Sequence, residues 1–415
     1  MAYALYAAAA IFVATYALIS TQGIGRYRIE RPTAAMLGAA LMIALGVVGP
    51  SAAIGSIDLD VLILLLGMML LVAGLDACGF FDYIALLIAN RARTQWEFLW
   101  TLMVAAAVLS ALVLNDAIAL LMSPIVVRAC RAMALDPVPF LVGEGIAVNV
   151  GSVATEVGNP QNAFIGIHGN IPYLEYASVM APITIACLLL SIGIVRLAFR
   201  RRLSGAITKR PPHDTLVPIH KPGLAFTLGV LVAAAVGFVA TTPDWLPAIA
   251  LIGGSVVLVG LPLLHRGASS RGIVRKVDWS ILLFFIGLFV VIAAVQSSGL
   301  SDVIQGGFTW LSGGNTGGVW WLSGLSAILS NLVSNVPAVL LLAPLATNRR
   351  LWLTLAASST LAGNATILGA AANVIVVQAA SRQGVEVSFK DWFRAGFPVT
   401  VATLVLATAI LAALP

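Results

Sequence analysis

Charged residues are scarce in this chain. Asp, Glu, Lys and Arg make up only 10% of its 415 residues, whereas 60% are hydrophobic. A soluble domain typically carries about 25% charged residues, so this composition excludes a large soluble core and indicates a polytopic membrane protein. A membrane-spanning helix needs about 20 apolar residues, which leaves room for roughly ten spans and their loops.

Cysteine, histidine and nucleotide-binding motifs are equally sparse. Cys78, Cys130 and Cys187 lie far apart and form no CxxC pair, which argues against a disulfide framework or a metal knuckle. The histidines fall in predicted loops and no Walker A motif is present, so neither a zinc hydrolase nor an ATPase is indicated. Ser, Asp and His do not cluster as a hydrolase would need, so we expect neither an enzyme nor a cofactor.

The net charge of +6 would suit a nucleic-acid-binding protein, but the placement of the basic residues indicates membrane topology instead. With the N-terminus outside, every Lys and Arg except Arg349 and Arg350 falls in loops on one side of the membrane. We therefore predict a multi-pass protein of a bacterial or archaeal inner membrane, with both termini in the periplasm and no nucleic-acid partner.

Apolar stretches predict the spanning helices. They cover residues 4–21, 33–49, 61–81, 140–167, 178–199, 223–240, 247–264, 279–298, 353–378 and 395–413. Two further stretches, about 97–127 and about 318–346, are interrupted by Asn115-Asp116 and by Ser334-Asn335. Because about 30 residues are short for two full crossings, we interpret each as a re-entrant hairpin; two ordinary spans or one long span are the alternatives.

The chain divides into two similar halves. Residues 1–199 and 223–415 flank a basic, proline-rich linker at 200–222, and each half holds five predicted spans and one hairpin. Shifts of 220 and 211 residues align Asp58 with Asp278, Gly67 with Gly287, Asn115 with Asn335, Thr155 with Thr366 and Asn162 with Asn373. An odd number of spans turns the second copy upside down. The predicted fold is therefore all-α, with two inverted-topology repeats and broken helices at the midplane.

The stretch Gly143–Phe164 concentrates polar residues and helix breakers at membrane depth, which predicts an unwound helix that lines a cavity. Amide side chains supply hydrogen-bond donors and acceptors, and half-helix N-termini favour oxygen-rich ligands. The predicted substrate ligands at the broken elements are Asn115, Asn159, Asn162, Ser334, Asn335, Asn364, Thr366 and Asn373. The alternative is that these residues only cap broken helices or join neighbouring ones.

Carboxylates at membrane depth occur only in the first half. Asp116, Glu156 and Glu144 align with Val336, Ile367 and Leu355 of the second half. Removal from water favours the protonated form of a carboxyl group, so such residues can load and unload protons. We predict proton coupling by Asp116 first and by Glu156 second. For Asp116, a helix cap or a salt bridge with Arg128 or Arg131 remains the alternative.

Several motifs resemble the arsenite efflux permeases of the ArsB type, in the ion transporter superfamily. They are Asn115-Asp116-Ala117, Ser123-Pro124-Ile125-Val126, Glu175-Tyr176-Ala177-Ser178-Val179-Met180 and Gly363-Asn364-Ala365-Thr366. The resemblance implies export of arsenite and antimonite driven by the proton gradient, and for some members a soluble ATPase partner. Arsenous acid is neutral at pH 7 and presents hydroxyl groups that suit Asn, Ser and Thr. The motif Gly158–Asn162 departs from the best-known pumps and resembles anion permeases of the superfamily.

Other functions stay open at this stage. A sodium/proton antiporter would use Asp116 and Glu156 as cation ligands, and sodium would then be the coupling ion. A carboxylate or inorganic anion permease would benefit from a cation at membrane depth, and no Lys or Arg is predicted at the centre of a span. A receptor or assembly protein would show no flux. Small residues in the predicted scaffold spans (Gly38, Ala39, Gly253 and Gly254) predict close helix packing or a homodimer contact.

Overall fold

The computed structural model describes residues 2–21, 23–24, 27–209, 219–311 and 318–414. Their regular secondary structure is helical, apart from a short antiparallel ladder between Gly23–Ile24 and Tyr27–Arg28 and an isolated bridge between Thr94 and Ala206. Eight of the described helices are long and apolar enough to cross a membrane. The predicted all-α polytopic fold is confirmed. The middle of the predicted linker, residues 210–218, lies outside the described residues.

The described part of the first half contains ten α-helices. They are α1 Ala2–Thr21, α2 Arg31–Ala44, α3 Pro50–Gly55, α4 Leu59–Ala77, α5 Phe80–Arg91, α6 Gln95–Leu112, α7 Asn115–Ala132, α8 Val138–Ser152, α9 Pro160–His168 and α10 Tyr173–Ala198. The second half repeats the order. It contains α11 Lys221–Ala240, α12 Leu246–Leu264, α13 Ser270–Arg275, α14 Trp279–Ser297, α15 Leu300–Leu311, α16 Val319–Val333, α17 Asn335–Leu342, α18 Arg349–Ala362, α19 Ala371–Arg382 and α20 Phe389–Ala413.

The same residue types begin equivalent helices in the two halves. The Asp58 side chain accepts a hydrogen bond from the Val61 amide at 3.0 Å and caps α4. Asp278, its partner in the 220-residue alignment, accepts from the Ser280 amide at 3.0 Å and caps α14. Such caps satisfy amide groups that the first turn of a helix leaves unpaired, which fixes where both helices start.

Two predicted spans are each broken in the middle. Residues 140–167 form α8 and α9, and residues 353–378 form α18 and α19. Each break contains a short 3-10 turn, Glu156–Gly158 in the first half and Ile367–Gly369 in the second. Extended backbone at Thr155 and Thr366, with ψ angles of 160° and 161°, leads into these turns. The predicted broken helices are therefore present, and the two breaks follow the same backbone course.

The first hairpin enters and leaves at one end of the bundle. At its start, the Gln95 amide donates to the Gly205 carbonyl at 3.2 Å. At its end, Asp136 lies 3.6 Å from the guanidinium of Arg202. We call the end of the bundle that holds residues 200–209 the linker face. The hairpin is longer than predicted, since its arms α6 and α7 each have 18 residues.

The second hairpin opens at the other end, which we call the opposite face. Helix α20 begins at the linker face, where Asp391 lies 3.1 Å from Arg202. It ends at the opposite face, where the Leu414 carbonyl accepts from Arg350, just after the hairpin, at 2.8 Å. Near the same end, Ser323 at the start of the hairpin bonds Thr408 at 2.6 Å. The two halves therefore have inverted topologies, as predicted.

Small residues allow the scaffold helices of the two halves to cross closely. Helix α4 packs along α12, and the equivalent α14 packs along α2. A Cβ atom on Gly67 would lie 2.2 Å from the carbonyl carbon of Ala250, and one on Gly287 would lie 2.6 Å from that of Ala35. Because backbone cannot yield as a side chain does, glycine is needed at both crossings. Gly254, one of the four small residues singled out in the sequence, also lies at the first crossing, where its Cβ would be 2.9 Å from the Gly67 carbonyl oxygen.

Candidate functional site

The broken helices meet at a buried cluster of amide side chains. The Asn149 amide, near the end of α8, donates to Asn364 Oδ1 at 3.0 Å and to Asn373 Oδ1 at 2.6 Å. The Asn149 oxygen accepts from Asn115 Nδ2 at 3.4 Å. One side chain of the first half therefore joins the tip of its own hairpin to the broken helix of the second half. Nothing in the sequence singles out Asn149 among the polar residues of its stretch.

The reciprocal connection runs from the second half to the first. Thr360 occupies the position equivalent to Asn149 at the 211-residue shift. Its hydroxyl oxygen accepts from Asn159 Nδ2 at 3.3 Å and from Gln161 Nε2 at 3.2 Å. Each half thus supplies a polar side chain that holds the break of the other half, which brings the two breaks together at the centre.

Asn162 and Asn373 make equivalent hydrogen bonds to the backbone in their two halves. The Asn162 amide donates to the carbonyls of Ser152 at 2.9 Å and Thr155 at 3.3 Å. The Asn373 amide donates to the carbonyls of Gly363 at 2.7 Å and Thr366 at 2.9 Å. These four acceptors are equivalent at the 211-residue shift. Both amides satisfy carbonyls that the broken helices would otherwise leave unpaired inside the bilayer.

The second hairpin tip is held in a similar way. Ser334 has a φ angle of 78°, which turns the chain sharply between α16 and α17. The Asn335 amide nitrogen donates to the carbonyls of Ser359 and Gly369, both at 2.9 Å. Thr366 accepts from the Gly369 amide at 3.0 Å and so caps the 3-10 turn. The hairpin tip is therefore fastened to the break of its own half.

A cavity of about 300 Å³ lies between α14 and α19 and reaches the tips of both hairpins and the breaks of both broken helices. At the centre its wall includes Asn115, Asp116, Gln161, Ser334 and Asn335. Towards the linker face it continues past Asp278, at the start of α14, and Arg382, at the end of α19. The cavity is therefore positioned to admit solutes from the linker face.

The predicted site residues occupy two layers. Asn115, Asp116, Ser334 and Asn335 line the cavity. Behind this wall lie Asn159, Asn162, Asn364, Thr366 and Asn373, which hold the breaks. Gln161, which the sequence reasoning did not select, joins the lining set. Substrate binding by the first group remains a prediction, and the second group is one layer removed from a solute in this cavity.

Arg31 is a second residue that the sequence reasoning missed. We expected it in a loop, but it is the first residue of α2 and lies in the cavity wall. Its Nη2 donates to the Leu368 carbonyl at 3.1 Å, and its buried Nε has no hydrogen-bond partner. Arg31 does not lie at the centre of a span, but its guanidinium group reaches the cavity from the start of α2. The signal was available in Pro32, since proline at the second position of α2 marks a helix that starts at Arg31.

Asp116 lies in the first turn of α7 and is 8% exposed to the cavity. The salt bridges considered for it are not formed. Arg128 instead pairs with Asp82 at 2.6 Å, and Arg131 donates to the Gln383 carbonyl. The helix N-terminus favours a negative charge at Asp116, whereas burial opposes it. This balance suits a group that exchanges a proton with the cavity.

The other two carboxylates of the first half lie away from the cavity. Glu144 on α8 accepts from the Ser123 hydroxyl at 2.9 Å through Oε1, and its Oε2 has no partner. Glu156, in the 3-10 turn, is fully buried, and neither of its oxygens has a hydrogen-bond partner. Its predicted role in proton coupling therefore needs a route other than this cavity.

Inverted halves with broken helices around a central polar cavity define a secondary membrane transporter. Residues 16–349 match the family model described as "CitMHS: Citrate transporter". The chain therefore belongs to the CitMHS citrate transporter family of the ion transporter superfamily.

Similar proteins agree with this assignment. An uncharacterized transporter of Mycobacterium tuberculosis (strain CDC 1551 / Oshkosh) is 33% identical, over 97% of this chain and 96% of its own. The silicon efflux transporter LSI3 of Oryza sativa subsp. japonica is 27% identical, over 90% of each chain. The crystal structure of the Alcanivorax borkumensis YdaH transporter has the same fold, with a TM-score of 0.56 at 16% identity, over 99% of this chain and 97% of that one.

Proposed function

We propose that the protein exports small neutral hydroxides of metalloids, of the arsenite and antimonite class, in exchange for protons. The observation that carries this proposal is the composition of the cavity wall, where amide and hydroxyl side chains surround a single central carboxylate, Asp116. Arsenous acid presents hydroxyl groups that can donate to and accept from Asn115, Asn335 and Ser334 without a compensating charge.

The charges around the cavity favour a neutral solute. The wall contains the carboxylates Glu30, Asp116 and Asp278 and the guanidinium groups Arg31 and Arg382. When all are ionised, the negative charges outnumber the positive ones. A multiply charged anion such as citrate would meet repulsion there. The silicon efflux relative supports the same solute class, since silicon hydroxide is also small, neutral and rich in hydroxyl groups.

The protein would lie in the inner membrane with its linker face in the cytoplasm and both termini in the periplasm. Arg200, Arg201 and Arg202 lie at the linker face, whereas Arg349 and Arg350 are at the opposite face. Loops at a cytoplasmic surface are expected to carry an excess of Lys and Arg, as the linker face does. In that orientation the cavity opens to the cytoplasm, where an exporter collects its substrate.

Growth on arsenite tests the proposal. A sensitive bacterial strain that expresses the protein should gain resistance, and Asp116→Asn should reduce growth to that of the empty vector because the amide cannot carry a proton. Asp302→Asn is the matched control, since Asp302 is an exposed carboxylate away from the cavity. Everted vesicles would report arsenite-driven proton movement, with and without sodium. Resistance that survives in Asp116→Asn, or flux that needs sodium and not protons, would contradict the proposal.

A permease for a singly or multiply charged anion is the second candidate, because Arg31 brings a cation to the cavity. If anions are the substrate, Arg31→Gln should lower uptake of labelled citrate about tenfold or more, since a hydrogen bond to a charged group contributes about 1.5–3 kcal/mol. Arg31→Lys should retain part of the citrate uptake, because lysine keeps the positive charge. For a neutral hydroxide, both variants should transport arsenite at similar rates. Citrate uptake by wild-type protein in vesicles would therefore decide between the candidates.

A further inference from the structure

A continuous groove runs between α5 and α6, the first arm of the first hairpin. One part of it, with a volume of about 290 Å³, has Arg91 and Glu97 in its wall. A second part of about 360 Å³ extends along α6 as far as Leu109. The two parts share Trp100 and Thr101, and neither contains a residue that lines the central cavity. This α5–α6 groove is therefore a separate feature, which the proposed transport of a solute does not use.

The α5–α6 groove begins at the linker face and ends near the centre of the bundle. Beside its mouth, the Arg93 carbonyl accepts from the Ile207 amide at 2.9 Å, and residues 200–209 define the linker face. From Glu97 to Leu109, α6 rises by about 18 Å, at about 1.5 Å per residue. One leaflet of a bilayer has a hydrocarbon depth of about 15 Å. The groove is therefore about as long as one acyl chain of the leaflet at the linker face.

The wall of the groove beyond its mouth is apolar. The hydroxyl group of Thr101 donates to the Glu97 carbonyl at 2.5 Å, so it is satisfied within α6. Trp100 is 39% exposed and Val108 is 52% exposed, so the groove opens sideways from a helix that is apolar enough to span the membrane. The other wall residues along this length are Ile84, Leu87, Ile88, Val104, Ala105 and Leu109. Such a surface binds hydrocarbon and offers nothing to a polar solute.

Two opposite charges lie at the mouth of the groove. Arg91, in the last turn of α5, is exposed, and Glu97, in the first turn of α6, is half-buried. Among the residues that the structure describes, neither belongs to an ion pair. Glu97 Oε2 accepts from the Arg93 amide at 2.7 Å, and the Thr94 hydroxyl accepts from the Glu97 amide at 3.1 Å, which is a capping box. The cap uses one carboxylate oxygen, so Oε1 stays available to a further donor.

We propose that the α5–α6 groove binds one aminophospholipid of the leaflet at the linker face, with an acyl chain along α6, its phosphate on Arg91 and its ammonium group on Glu97. A guanidinium group pairs with phosphate through two parallel hydrogen bonds, and an ammonium group supplies a donor to the carboxylate. An anionic headgroup without an ammonium group would satisfy Arg91 but would face the Glu97 carboxylate. The repeated fold does not account for these charges, since Leu311 and Gly317 align with them in the second half.

Quenching of Trp100 fluorescence by brominated lipids measures occupancy of the groove. The full chain is reconstituted in phosphatidylcholine vesicles that contain increasing fractions of phosphatidylethanolamine, phosphatidylglycerol or phosphatidylcholine with bromine near the head of the acyl chains. The Trp100 signal is the difference between each protein and its Trp100→Phe counterpart. Half of the quenching should occur at about tenfold lower fractions of brominated phosphatidylethanolamine than of the other two lipids, because loss of a hydrogen bond to a charged group corresponds to about that factor.

Substitutions at the mouth separate the two headgroup contacts. Glu97→Gln retains a residue that completes a capping box, so α6 still begins in the same way. It should remove the preference for phosphatidylethanolamine over phosphatidylglycerol. Arg91→Gln should raise the half-quenching fraction of phosphatidylethanolamine about tenfold. Arg93→Gln is the matched control, since Arg93 carries the same charge at the linker face but is not in the groove wall, and it should change nothing.

A substitution deeper in the groove tests the acyl chain. Ala105→Phe fills the apolar part and should abolish the preference among the lipids, whereas Ala233→Phe, at an exposed position of α11, should not. Thermal unfolding in detergent shows that each variant is folded.

Equal quenching by the three lipids in the wild type would overturn the site, because the groove would then hold bulk lipid only. A preference for phosphatidylglycerol would overturn the ammonium contact with Glu97. A preference for phosphatidylethanolamine that survives in Glu97→Gln or Ala105→Phe, or that is lost in Arg93→Gln, would also contradict the proposal, since general charge at the linker face would explain it. No solute is added, so these results stand whether or not arsenite is the cargo.

Discussion

The turn inside the first broken helix and the turn inside the second follow the same course, yet the first carries Glu156 where the second carries Ile367. The same contrast recurs at the hairpin tips, where Asp116 aligns with Val336. Backbone support, in contrast, is shared, because Asn162 and Asn373 bind equivalent carbonyls. Duplication has therefore kept the groups that hold unwound backbone in the membrane, and it has confined these titratable groups to one half.

Because the two halves share their backbone support, substitutions at equivalent positions that serve only packing should change the free energy of unfolding equally. Gly67→Ala and Gly287→Ala should each lower the free energy of unfolding by about 2–3 kcal/mol, the upper part of the range for overpacking, because the new methyl group would meet backbone. Denaturant or thermal unfolding in detergent measures this effect. Gly229→Ala on α11 is the control, since nothing lies within 4 Å of its added Cβ.

Unequal effects of Gly67→Ala and Gly287→Ala would contradict this equivalence of the two halves. If Gly67→Ala is tolerated while Gly287→Ala is not, the α4–α12 crossing moves apart more easily than the α2–α14 crossing. The scaffold would then not be two equivalent parts. A Gly229→Ala variant as unstable as the other two would show that helix geometry, and not close approach, sets the cost.

Most of this fold could be predicted from the sequence because each feature has a local signal. Long apolar stretches predict α4, α10 and α14, the repeated Asn-containing motifs predict the duplication, and the odd number of spans in each half predicts the inversion. Arg31 was misplaced because helix α2 starts deeper in the protein than a charge suggests, so the rule that charges lie in loops failed there. Helix α6 was predicted as half of a short hairpin, although it has 18 residues and is apolar enough to span.

The site was less predictable than the fold. The sequence identifies Asn159, Asn162 and Asn373 as polar residues at membrane depth, but it does not say which way each side chain points. Unwound backbone needs donors for its free carbonyls, and Asn162 and Asn373 supply them, whereas Asn159 donates to the hydroxyl groups of Ser152 and Thr360. Only tertiary structure separates amides that hold the backbone from those that face the cavity, such as Asn115 and Gln161, and it shows that Asn335 does both.

The smallest expected effect distinguishes the two supporting amides from each other. Asn162→Ala and Asn373→Ala each leave two carbonyls without a donor, so each should destabilise the protein, by about 1–2 kcal/mol. Asn373 also accepts from Asn149 at 2.6 Å, whereas the Asn162 oxygen has no partner. Asn373→Ala should therefore cost about 0.6 kcal/mol more, a typical value for one interhelical hydrogen bond in a membrane protein.

Unfolding in detergent would measure both variants, with the exposed Gln296→Ala as the control. Combining each variant with Asn149→Ala tests whether the difference depends on the hydrogen bond from Asn149. In that background Asn149 no longer donates to Asn373, so the two supporting amides become equivalent and their variants should cost the same. If the difference persists without Asn149, the connection between the halves does not run through this hydrogen bond.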